Sequence, residues 1–181
     1  MIESVRAMYK KNSQDRVPVD LDDLIQSVLG LMRVELEKKK IIVQNELTGP
    51  IPSVMVHGGQ LQQVILNLIR NAGEAMDAVS NRERVLRVRS AIHNTNEVLV
   101  SIEDSGPGID PENINRIFEP FYTTKSDGMG MGLAICRSII EAHQGRLWVS
   151  AGIQHGSVFR FTLPTGSLET EVSATENSHR V

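Results

Sequence analysis

The sequence predicts a two-layer α/β sandwich, a mixed sheet with helices covering one of its faces. Two observations lead there. Helical and β-branched segments are partly segregated along the chain, so their order is not the strict alternation of a parallel βαβ fold. Apolar residues make up 40% of the 181, enough for one core of ordinary size in one globular domain with extensions.

From the start, Ile2, Val5 and Met8 recur at three-residue steps. They predict a short amphipathic helix over Met1 to Lys11, too short to stand alone and read as the end of something longer. Asn12 to Asp15 is a polar linker, and Val17-Pro18-Val19 is extended. Asp20 can cap a helix whose apolar positions Leu21, Leu24, Ile25, Val28, Leu31 and Met32 keep helical period up to Lys38-Lys39-Lys40. Ile41 to Val43 reads as a strand, and Gly58-Gly59 precedes a helix from about Gln60 to Val79. Val85 to Ile92 and Val98 to Ile102 are strands joined by the turn-prone His93 to Asn96. Asp110-Pro111-Glu112 is a helix start. A glycine-rich stretch, Glu119 to Gly130, leads to a helix from about Gly132 to His143, closed by Gly145 as a left-handed cap. Leu147 to Val149 and Val158 to Leu163 form the last strands, paired through the Gly152/Gly156 loop. A Ser/Thr/Glu-rich tail without apolar pattern follows, expected to be disordered.

Composition removes several classes of function. With 19 basic and 22 acidic residues the net charge is −3, so no basic face points to nucleic acid or to an anionic membrane. Aromatics are 4%, too few for a base-stacking platform. The single cysteine, Cys136, excludes an internal disulfide and a cysteine metal cluster. No apolar run approaches the roughly 18 residues of a membrane span, and no signal peptide opens the chain, so a cytoplasmic domain is expected.

Four segments carry chemistry. On the helix from Gln60, the residues Gln60, Gln63, Asn67, Asn71 and Glu74 form a polar stripe opposite Leu61, Ile65, Leu68, Ala72 and Ala75. Mid-helix asparagines cost stability, and amide oxygens can ligate Mg²⁺. Taken alone, the stripe balances evenly between a ligand site and a solvated face. Asp104-Ser105-Gly106-Pro107-Gly108-Ile109 follows a strand. A carboxylate there can accept from an exocyclic amine such as adenine N6, where guanine would present a repelling oxygen. In isolation an ordinary turn is the simpler reading. Gly128-Met129-Gly130-Met131-Gly132-Leu133 immediately precedes a helix, whose free N–H groups suit a phosphate chain better than an empty lid. The spacing is neither a dinucleotide-binding fingerprint nor a P-loop. Just upstream, Lys125 follows Phe118-Glu119-Pro120-Phe121-Tyr122-Thr123-Thr124 and is placed to reach a phosphate, although a lone loop lysine is ordinarily solvated and the assignment depends on its neighbours.

Taken in order, these segments resemble the histidine kinase branch of the GHKL superfamily of gyrase, heat-shock chaperone, histidine kinase and mismatch-repair ATPases. Asn67 to Ala75 resembles the N box, Asp104 to Gly108 the G1 box, Phe118 to Phe121 the F box and Gly128 to Leu133 the G2 box. Gly156-Ser157-Val158-Phe159 is similar to the final glycine box. The Phe-Tyr-Thr-Thr-Lys form resembles the oxygen- and nitrogen-responsive sensor kinases. The resemblance implies a Bergerat-type ATP-binding fold with about five strands and about three helices, and ATP and Mg²⁺ as ligands. It implies Asn71 as the Mg²⁺ ligand, with Glu74 beside it. Asn67 would line the phosphate site, where ATP-hydrolysing relatives carry a general-base glutamate. Asp104 would bind adenine N6, supported through water by Ser157, with Gly106, Gly108 and Ile109 as the adenine wall. Glu119 to Gly130 would be the lid, with Lys125, Gly128, Gly130 and Gly132 on the phosphates and Leu133 beside them.

The G2 box departs from the family's usual Gly-Thr-Gly-Leu-Gly-Leu at Met129 and Met131. None of His57, His93, His143, His155 and His179 sits in the family's phosphoacceptor context. The implied layout is the end of a dimerisation and phosphoacceptor hairpin over 1–16, a catalytic domain over 17–165 and a tail over 166–181. The acceptor helices and a response regulator would be its partners, the acceptor histidine lying upstream, and the chain itself a monomer that does not autophosphorylate.

Overall fold

The computed structural model describes residues 16–47, 49–124, 128–152 and 155–166. The helix expected over Met1 to Lys11 lies outside these residues, as does the tail beyond Gly166. Seven strands are present among them: β1 (Val17–Val19), β2 (Ile41–Leu47), β3 (Val54–Val56), β4 (Arg84–Asn94), β5 (Glu97–Asp104), β6 (Arg146–Ala151) and β7 (Ser157–Pro164). Three α-helices accompany them: α1 (Leu21–Lys38), α2 (Gly58–Ala75) and α3 (Gly132–Ala142).

The main sheet has five strands in the order β2-β4-β5-β7-β6. Only β2 and β4 run parallel; the other three pairings are antiparallel, so the sheet is mixed as expected. β1 and β3 form a separate two-stranded ribbon. Side chains alternate faces along each strand. Leu86 and Val88 of β4, Val98, Val100 and Ile102 of β5, and Phe159, Phe161 and Leu163 of β7 are buried on one face. Against it pack Leu21, Ile25, Val28 and Met32 of α1, Leu61, Ile65, Leu68 and Ile69 of α2, and Cys136 and Ile140 of α3. The other face is solvated and carries an ion-pair ladder. Arg87 pairs with Glu46 at 3.2 Å and Glu103 at 3.1 Å, and Arg89 pairs with Glu46 at 2.6 Å. This is the predicted sandwich.

Local chemistry sets most boundaries. Asp20 Oδ1 accepts the N–H groups of Asp22 and Asp23 at 2.9 and 3.1 Å, which fixes the start of α1. α2 begins at Gly58, before the expected Gln60, and ends at Ala75, where one 3₁₀ turn over Met76–Ala78 replaces the last expected turn. The start read at Asp110 is real as a cap, since Asp110 Oδ1 accepts Glu112 N–H at 3.0 Å. It opens only a 3₁₀ turn, Pro111–Asn113, followed by a second, Arg116–Phe118. Ile114, Ile117 and Phe118 all reach the core within this span, and a continuous helix does not form.

The end of α3 corrects one reading. The left-handed residue is Gln144, with φ 62°, and Gly145 follows it. Gly145 is held by its N–H to Ile140 O at 2.9 Å. A Cβ on it would lie 2.0 Å from Thr162 O of β7, so the glycine serves close chain approach. Nearby, Arg16 donates to Ala142 O at 2.6 Å, and the His57 N–H donates to His143 Nε2 at 3.0 Å. These bonds join the approach to β1, the start of α2 and the end of α3.

Candidate nucleotide-binding site

The site is built around the end of β5. Asp104 falls on the inward side of the strand and is 3% exposed. Burial pushes its carboxyl up to about 6, against the opposing effect of backbone N–H bonds from Gly106 and Ser157. The Gly106 N–H reaches Asp104 Oδ1 at 2.8 Å. The Ser157 amide lies near enough to favour the ionised carboxylate. Gly106 packs so tightly that a Cβ there would lie 2.7 Å from Asp104 Oδ1 and 3.3 Å from Ala75 at the end of α2. Around Gly106 the carboxylate is bordered by backbone and by the Ala75 methyl group. Gly108 stands next, against Gly156, and Ile109 turns partly into the core.

α2 runs from this loop to α3. Along its polar stripe Gln60 and Gln63 are exposed, while Asn67, Asn71 and Glu74 are half-buried. The solvated-face reading thus holds for the first turns, and the three residues assigned to the ligand form the sheltered part. Asn67 Nδ2 lies 3.7 Å from Cys136 Sγ on α3. α3 opens with no side-chain cap at its N-terminus, which leaves its first N–H groups for a ligand. Gly132 sits in open space there, and Leu133 packs partly on the core.

The stretch read as a lid is anchored at both its described ends. Phe118 meets Phe159 edge to face at 6.4 Å and is covered by the Arg137 guanidinium at 4.6 Å. The Phe121 N–H donates to Gly130 O at 2.9 Å. Gly130 has φ 66°, and a Cβ there would lie 2.5 Å from the Phe121 backbone. This glycine therefore closes the base of the lid against the F box. Gly128 is half-buried on the returning strand of the loop, and Lys125 lies outside the described residues.

Three supporting residues had no assigned role. Gly156, at φ 76°, lies so close beneath Asp104 that a Cβ would stand 1.8 Å from its carbonyl oxygen. Its place in the final glycine box was the available signal. Ser105 Oγ accepts the Val85 N–H at 2.8 Å, and Arg82 donates to both Ser105 O and Gly106 O at 2.9 Å. Nothing in the polar stretch around Arg82 marks that clamp. A cavity of about 530 Å³ shares Asp104 and Ser105 but is otherwise walled by the ion-pair face, including Gln44, Arg87 and Glu103.

The donor set fits an adenine nucleotide: a buried carboxylate beside glycine backbone, an amide stripe, and an uncapped helix start. Residues 57–167, more than half of the chain, match the family described as histidine kinase-, DNA gyrase B-, and HSP90-like ATPase. The chain belongs to this family. Its fold is that of the histidine kinase catalytic domains. The sensor protein TdiS of Thauera aromatica is 34% identical over 91% of this chain, which spans only 30% of TdiS. The catalytic domain of histidine kinase ThkA superposes with a TM-score of 0.75 at 34% identity, covering 84% of this chain and 97% of that one. ThkA in complex with the response regulator protein TrrA matches with a TM-score of 0.71 at 29% identity, over 91% of this chain and 47% of that one. Among the described residues, no helix of this family member is long and apolar enough to cross a membrane.

Proposed function

We propose that this domain binds Mg·ATP and presents its γ-phosphoryl to a histidine on the dimerisation helices of a sensor kinase, in two-component signalling. The observation that carries the reading is Asp104, buried at a strand end with glycine backbone on its approach. The carboxylate takes the adenine N6 donor, with Gly106, Gly108 and Ile109 as the wall and Ser157 holding Asp104 in place. Asn71 would offer an amide oxygen to Mg²⁺, with Glu74 beside it, and the ion would supply charge neutralisation at the phosphates. Gly128, Gly132, Leu133 and Lys125 take the phosphate side, where the uncapped start of α3 favours negative charge. Gly130 belongs to the phosphate side as well, and its contact with Phe121 closes the base of the lid.

Positioning and charge neutralisation supply the catalysis. Asn67 supports a kinase over an ATPase of the gyrase or mismatch-repair kind, because an amide cannot take a proton from water. The acceptor is proposed to be none of this chain's histidines. His143 is 2% exposed with both ring nitrogens engaged. The response regulator in the ThkA complex supports a regulator as the downstream partner. Calorimetric titration with a non-hydrolysable ATP analogue and Mg²⁺ tests the reading. The unsubstituted chain binds, and Asp104→Asn, which places a donor opposite N6, weakens binding by at least about tenfold. No binding by the unsubstituted chain overturns it.

A further inference from the structure

Asn67 and Cys136 meet where α2 packs on α3. Besides the 3.7 Å contact from Asn67 Nδ2, the sulfur lies 3.9 Å from Val64 O, one turn earlier on α2. Cys136 is 0% exposed. Its sulfur donates to Val64 O and accepts from Asn67 Nδ2. Sulfur is a weak acceptor, but no water competes for the amide on that side. An asparagine amide carries two N–H donors on Nδ2 and an acceptor, Oδ1. With Nδ2 turned to the sulfur on α3, Oδ1 is the end directed away from that contact. Oδ1 carries no hydrogen, so it cannot bond a phosphate oxygen, whereas Mg²⁺ and the waters of its shell accept an oxygen partner.

We propose that Cys136 is a positioning residue whose thiol holds the Asn67 amide with Oδ1 offered to the metal side of Mg·ATP. This rests on the nucleotide reading above and replaces a phosphate contact for Asn67 with a metal-side one. Cys136 belongs to α3, so the same contact ties the helix of the N box to the helix that follows the lid.

The test is calorimetric titration of AMPPNP, with Mg²⁺ and with EDTA, on the whole chain and on Cys136→Val and Cys136→Ser. Valine fills the space without a hydrogen bond, and serine keeps a donor and an acceptor. Cys136→Val should lose about three- to tenfold in affinity with Mg²⁺ and none in EDTA, while Cys136→Ser stays close to the unsubstituted chain in both. Equal loss with and without Mg²⁺, no loss in Cys136→Val, or a serine variant as weak as valine would overturn the proposal. Thermal melts confirm that each variant folds, and Cys136→Ala takes the place of a valine variant that does not. An unsubstituted chain that binds no nucleotide in either buffer would instead sink the underlying reading.

Discussion

At the scale of single residues, the glycines of the motifs divide by what surrounds them. Gly156 combines φ 76° with a would-be Cβ 1.8 Å from Asp104 O. Gly156→Ala must therefore move the backbone that holds Asp104, and a loss of about 2–4 kcal/mol is expected in chemical denaturation. Gly132 lies in the first turn of α3, and a methyl group added to it would meet nothing within 4 Å. Gly132→Ala should be neutral or stabilising by up to about 1 kcal/mol, so any loss of nucleotide affinity in that variant reports the ligand and not the fold. Sequence spacing marks both positions as motif glycines. It cannot separate them, because the contact that constrains Gly156 comes from a strand more than 50 residues earlier, as Asp104 does.

At the scale of elements, the start of α1 was legible because its chemistry is local. Asp20 caps α1 through N–H groups two and three residues away. The end of α3 was not legible, because two demands share it. The chain needs a left-handed residue at position 144, and it needs no side chain at 145, where β7 passes. Gln144 meets the first demand at a cost that glycine avoids. Gln144→Gly is expected to raise the stability of the chain by roughly 1 kcal/mol, measured as a shift in denaturation midpoint at constant slope. The Asp110 segment shows the opposite failure. Its cap is local and correctly read, but the apolar residues that follow belong to the core and not to one helical stripe.

At the scale of the whole molecule, two buried groups titrate in opposite senses. The carboxyl of Asp104 is raised to about 6 by burial. Its contribution to stability is full below about 4, its unfolded value, and is lost as pH rises through about 6. His143 is held below its ordinary value, by burial first and also by the nearby charges of Arg16 and His57. Its contribution is present above about 6.5 and is lost as pH falls. Asp104→Asn removes only the first effect. Near pH 7.5 the variant should melt higher than the unsubstituted chain, by about 2–4 °C for each kcal/mol relieved. The two melting temperatures should converge near pH 4, and a constant difference across that range would contradict the burial account. The same buried charge that costs stability is the group proposed to select adenine.

What the sequence determined by itself was whatever acts over a few residues. Its apolar periods set the three α-helices and the strands of the main sheet, the Asp20 cap set the start of α1, and its ordered boxes pointed to the family. The mixed sheet with one solvated face followed from the segregation of those elements. Only the tertiary structure decided which long-range contacts the motif residues make. It placed Gly130 against Phe121, Gly156 beneath Asp104, Arg82 on the carbonyls of Ser105 and Gly106, and Cys136 on Asn67. Periodicity assigns a residue to a face, but the partner it meets there depends on how distant segments pack, and spacing along the chain does not carry that information.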